Sequence, residues 1–272
     1  MRVTSTVQAY VALADVADTE REAAWVHHYE AAHPDVFERY YSSWSSPSRR
    51  GASATDVPRL APLVSGLEER ALELVADTEL IFRELGLVDD ELDVVLLVGH
   101  RSSNGWVTDL HGRQQLFLAL EFLGDPPYDA VLVSHEALHL AHARRGADGW
   151  PEDVAGGLFQ EGFAVAMSRR LHSGLSDSAY LWFDGDHDAW VNGCETANPR
   201  LRERARSHLR HADDDPAVKW LFTTSRAPDD LPGRAGYWLA DRIVAPVLEE
   251  VPVSEVLDWS HDEASARIAK AL

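Results

Sequence analysis

"VLVSHEALHLAH" (131–142) carries His135, Glu136 and His139 in the order H-E-x-x-H. Whether this stretch is helical decides how the rest of the chain is read. On a helix, residues four apart share a face about one turn apart. Both imidazoles then reach one zinc at roughly 2.0–2.1 Å. Glu136, about 100° round the helix, leans toward the water such an ion holds without taking a ligand position. With 13 histidines in the chain, the four letters need support from their surroundings, and the flanks supply it. Asp125 suits an N-cap and Pro126 a first helical turn. Arg144 and Arg145 suit the negative C-terminal end, and Gly146 suits a stop. The spacing predicts one helix from there to Arg145.

Catalytic zinc takes three protein ligands and a water, so a third ligand is needed. His142 lies on the same face, but two turns separate it from His135, a rise of about 10.5 Å. The metzincin spacing fails as well, because His142 and Arg145 stand where it requires Gly and His. Glu161, in "GLFQEGFAVAM", is the better candidate. Residues 154–174 predict a second helix ending at Arg169, Arg170 and Gly174, and from Val154 to Met167 only Gln160 and Glu161 interrupt its apolar surface. An uncompensated buried carboxylate costs several kcal/mol, so Glu161 calls for a cation. The alternatives are an arginine partner or a frayed, solvated helix end. Gly156, Gly157 and Gly162 each cost about 1 kcal/mol of helix propensity. They fit a helix pressed closely on another backbone, expected to be the helix of His135 and His139.

His135-Glu136-x-x-His139 followed by Glu161 in "EGFA" resembles the gluzincin group of zinc metallopeptidases, whose third ligand is a Glu on the following helix. More narrowly, "HEALH", "QEGFA" and "GRAGYWLADRIV" (233–244) look like a bacterial family of predicted zinc-dependent proteases, largely uncharacterised. The likeness is firmest over 115–172, weaker at 233–250 and faint at "HPDVFERYY" (33–41). It implies a zincin-like domain with Zn2+ held by His135, His139 and Glu161, and Glu136 as general base. A tyrosine near the metal stabilises the oxyanion in some gluzincins, which makes Tyr237 a candidate catalytic residue; the alternative is a ring packed with Trp238. One departure matters. Thermolysin-type enzymes carry an Asp four residues after the ligand Glu, and here that position is Val165. An acceptor for the zinc histidines must come from elsewhere, with Asp148 and Asp153 as candidates.

Outward from this centre, "LDVVLLVG" (92–99) and "QQLFLALEFLG" (114–124) read as strands, with Asn104-Gly105 as a turn signal between them. Residues 1–42 read as helical, with Trp25, Tyr29, Phe37 and Tyr40 as bulky apolar positions. The Ser-, Pro- and Gly-rich 42–58 reads as a loop, 60–86 as helix, and the stretch beyond 174 as mainly helical. The expectation is a single predominantly helical α+β domain over 1–272. It has an N-terminal helical part (1–90), a metal-binding core (91–174) whose small sheet packs on the metal helix, and a C-terminal helical part (175–272). An edge strand, 105–109 or 115–122, is expected to pair with extended substrate.

The 272 residues are 45% hydrophobic with nine Trp, the composition of a packed globule. A net charge of −20 argues against a nucleic-acid partner, and no stretch of apolar residues is long enough to span a membrane. The N-terminus makes a poor signal peptide, so a cytoplasmic location is the default. Cys194, the single cysteine, is read as a buried thiol. Residues 184–195 place Asp184, Asp186, Asp188, Asn192 and Glu195 at calcium-loop spacing, but Ala189 stands where the loop requires Gly; an acidic turn entering a helix is the reading preferred. The expected function is zinc-dependent hydrolysis of a peptide or related amide. Two rival readings are a zinc hydrolase acting on a non-peptide small molecule (amide or epoxide) and a binding module with a structural metal. Substrate identity, endo or exo mode and oligomeric state are not encoded legibly.

Overall fold

The computed structural model describes every residue except Asp148. The chain forms two units, Met1–Asp125 and Pro126–Leu272. It is α+β and predominantly helical, as expected, with the single sheet in the first unit and the helix of His135 in the second.

The first unit begins with a strand where the sequence suggested helix. β1 (Arg2–Ser5) is followed by α1 (Val7–Val11), α2 (Arg21–Ala24), α3 (Pro34–Ser43), α4 (Arg50–Glu84), β2 (Asp93–Leu97), β3 (Gly105–Leu110) and β4 (Arg113–Ala119). The sheet order is β1-β2-β4-β3. β1 and β4 both run parallel to β2, with Arg2 opposite Asp93 and Val94 opposite Leu116, while β3 is antiparallel to β4. β2 is paired on both sides and buried along its whole length, which explains its unbroken apolar run. The hairpin turns at His111-Gly112, both at positive φ (59° and 76°), the backbone a two-residue hairpin needs. Asn104-Gly105 instead opens β3. Of the two segments expected to offer an edge to substrate, β3 is an edge strand; 115–122 falls largely in β4, whose backbone groups are taken up by β2 and β3.

Residues 50–58, expected as loop, are the first turns of the 35-residue α4, which carries Pro58 and Pro62 internally. Each proline costs a helix interior about 3 kcal/mol. The offset is a continuous apolar stripe, with Val57, Leu60, Ala61, Val64, Ala71, Leu74, Val75 and Phe82 all buried. Tertiary burial of that stripe outweighs local propensity. Trp25, Tyr29, Phe37 and Tyr40 are buried as expected.

The second unit contains α5 (Tyr128–His142), α6 (Val154–Leu171), α7 (Asp177–Trp182), α8 (Asp188–Ser207), α9 (Ala235–Glu250), α10 (Val253–Leu257) and α11 (His261–Ala271). α5 starts after Pro127 rather than at Asp125, and the chain past His142 ends in a π-turn that Gly146 closes at φ 115°. Asp153 caps α6 by accepting the Gly156 N–H at 2.8 Å. The glycines of α6 do allow a close approach, but α5 is not the neighbour they accommodate. A Cβ on Gly162 would stand 2.5 Å from the Ala240 carbonyl oxygen of α9, and one on Gly157 would meet the Phe222 ring. A charged cluster fastens the same helices. Arg169 of α6 meets Asp241 of α9 at 3.1 Å and Asp177 of α7 at 2.8 Å, and Arg242 meets Asp177 at 2.6 Å and Asp241 at 2.9 Å. Asp241 is 1% exposed. Burial pushes its carboxyl up even with Arg169 against it. In the less buried Asp177, burial works the same way but Arg169 and Arg242 win and hold the carboxyl down. No helix among the described residues is long and apolar enough to cross a membrane.

Candidate metal centre

α5 and α6 bring together the three side chains named from sequence. His135 and His139 face one point from consecutive turns of α5, and Glu161 meets them from the second turn of α6. Nε2 of His135 lies 3.2 Å from Nε2 of His139. Oε2 of Glu161 lies 3.2 Å from the first nitrogen and 3.6 Å from the second. Four ligands held tetrahedrally at 2.0–2.1 Å stand roughly 3.3 Å from one another, so the triangle has the edges of such a polyhedron. One proton shared between the two nitrogens can account for their approach. Oε2 of Glu161 is buried against these two nitrogens and makes no well-formed hydrogen bond. A cation at the centre of the triangle would satisfy all three atoms at once. Two imidazoles and a carboxylate form a donor set that suits zinc. Among the described residues the set holds three ligands.

The electrostatics follow from burial and proximity. Burial raises the Glu161 carboxyl, but His139 and His135 overcome it and hold the group far below its usual range. Burial lowers the His139 imidazole, but Glu161 and then Glu136 overcome it and hold it up. Glu136 is 6% exposed. Burial pushes its carboxyl up, against the pull of His135, His139 and Arg234. Burial likewise raises the phenol of half-buried Tyr237, and Glu161 adds to the effect, so the group stays protonated. Tyr237 thus feels the charges of Glu161, Arg234 and Glu136.

One expectation about support for the ligands changes. Asp153 gives its carboxylate to the cap of α6 and to His261, at 3.0 Å from that ring; Asp148 lies outside the described residues. Nδ1 of His135 is buried without a hydrogen-bond partner, and Phe183 packs edge-on against the ring at 5.2 Å between centroids. His142 takes no part in the triangle; it sits among Trp150, Phe159 and Phe163.

Compared with protein-family models, curated proteins and solved structures, the chain matches none.

The chemistry of the centre therefore rests on its own atoms. Arg234 is a neighbour that sequence patterning missed. Its guanidinium lies over the rings of Trp182 (4.5 Å) and Tyr237 (4.2 Å). The three residues come from the end of α7 and the start of α9, and no local period links them. Phe183 was missed for the same reason. The acidic stretch 184–195 does not form a calcium loop. Asp188 begins α8, so Asn192 and Glu195 are helical, and Asp184 binds Ser178 and His187. Cys194 is buried, and burial pushes its thiol up to about 12, as an inert cysteine requires.

Proposed function

We propose that the protein is a zinc-dependent amide hydrolase, a peptidase of gluzincin type with a zincin-like metal helix, in which His135, His139 and Glu161 hold the metal. The observation that carries this reading is the buried triangle of two Nε2 atoms and one carboxylate Oε2 with tetrahedral edges. A zinc ion held by these three residues would polarise a carbonyl and make water nucleophilic near neutral pH. Glu136, next to a ligand but not one of them, takes the proton of the attacking water and delivers it to the leaving nitrogen. Burial keeps that carboxyl more basic than an exposed one. The Tyr237 phenol, held protonated, donates to the developing oxyanion. A structural zinc closes its shell with four protein ligands. The three found among the described residues support a position left for water or substrate.

Elemental analysis of the purified protein should find near one zinc per chain, and His139→Ala should remove it. A full complement of zinc in that variant ends the reading. A peptide-library digest followed by mass spectrometry should give new termini that a chelator suppresses; cleavage indifferent to chelation counts against zinc chemistry.

A further inference from the structure

We propose that Arg234 anchors the substrate, and that the substrate is an amide bearing a carboxylate close to the scissile bond, as in a peptide opened at its last residue or an N-acyl amino acid. The inference rests on the hydrolase reading above and adds a substrate class to it.

Several arginines in the unit of Arg234 find carboxylates: Arg145 with Asp258 at 2.8 Å, Arg169 with Asp177 at 2.8 Å, Arg204 with Asp229 at 3.2 Å and Arg242 with Asp177 at 2.6 Å. Arg170, Arg200 and Arg202 turn to backbone carbonyls. The whole chain has 45 acidic residues against 25 Lys and Arg, yet no carboxylate among the described residues lies within ion-pair distance of Arg234. Two aromatic faces hold it instead. Rings over a guanidinium fix its plane and leave N–H edges for a planar, two-oxygen acceptor. Lysine, a point charge without a fork, has no such edge.

Its place is beside the centre. Trp182, one of the two rings, precedes Phe183, which packs on His135. Tyr237, the other, lies one turn before Ala240, whose carbonyl touches Gly162, the neighbour of Glu161. The backbone at Arg234 is left-handed, with φ 63°, a conformation glycine adopts most easily. A side chain kept there against that preference points to a use for it. The charges agree: Glu136 and Glu161 together offset a divalent ion, and Arg234 leaves one positive charge over, which an anionic substrate neutralises.

The test uses a mercaptoacyl amino acid and its carboxamide, titrated calorimetrically into the zinc-containing protein. The thiolate seeks zinc in both compounds, so their difference reads the carboxylate alone. The acid should bind wild type about tenfold to a hundredfold tighter than the amide. Arg234→Gln should abolish that preference, while Arg234→Lys should keep part of it. Equal binding of the two by wild type overturns the proposal without any variant, so a misfolded variant does not decide it. Persistence of the preference in Arg234→Gln overturns it as well. If neither compound binds and the purified protein lacks zinc, the hydrolase reading has failed and takes this one with it. An aspartyl carboxamide of the same thiol identifies the carboxylate source: binding as tight as the free acid assigns it to a substrate side chain.

Discussion

Glu136→Gln is expected to leave zinc content unchanged and lower kcat by about a thousandfold. The amide has the size and hydrogen-bonding reach of the carboxylate, and position 136 is not one of the three grouped ligands, so the metal has no reason to leave. What is lost is the ability to accept a proton, and general acid–base catalysis contributes about 10²–10⁴-fold. The upper half of that range is expected because in the proposed mechanism one carboxyl serves both proton transfers, and because a side chain 6% exposed leaves little room for solvent to act in its place. Steady-state kinetics beside elemental analysis of the same preparation decide the matter. A variant that retains zinc and turns over within about fivefold of wild type, too little for a lost general base, removes Glu136 from the mechanism.

Asp241→Ala should be the most destabilising single change in the charged cluster, at about 3 kcal/mol. Removing one member of a buried pair leaves its partners short of compensation, and here those partners are Arg169 and Arg242. The lower end of the usual range applies because both guanidiniums keep Asp177. The melting temperature should fall by about 6–12 °C. A drop of under about 2 °C, equivalent to less than 1 kcal/mol, in scanning calorimetry means that the cluster adds nothing. Burial already raises the Asp241 carboxyl, so a well-packed apolar pair replacing Arg169 and Asp241 together should cost far less than the single truncation.

α5 and α6 were legible because their cues were local: paired arginines at the ends, stopping glycines, and a four-residue spacing that means something only on a helix, although the expected cap at Asp125 was not the one used. The structure brings the three named ligand candidates to one point. Elements set by distant contacts were not legible. Arg2–Ser5 is too short to show a period, and it becomes a strand only because Asp93–Leu96 lies beside it. The start of α4 hides behind Ser, Pro and Gly, residues that usually mark loops, because the buried stripe stabilising it is a tertiary fact. Gly162 signalled a close helix crossing correctly, but a glycine does not say which helix crosses it; the answer was α9. Arg234 had no local signature, since its rings come from Trp182 and Tyr237.

The parallel pairing of β1 with β2 also dictates an order of assembly. Residues 2–5 leave the ribosome before their sheet partners, which follow only after all of α1–α4 has been made. Closing so long a loop costs entropy before any contact repays it. The His111-Gly112 hairpin needs no such wait. β3 and β4 should therefore pair first, β4 should recruit β2, and β1 should dock last as the short rim of a template already built. In pulse-labelled hydrogen exchange during refolding, amides of Gly105–Ala119 should gain protection before Thr4 and Thr6, whose partners lie on β2. The reverse order would mean that the first strand nucleates the sheet rather than completing it.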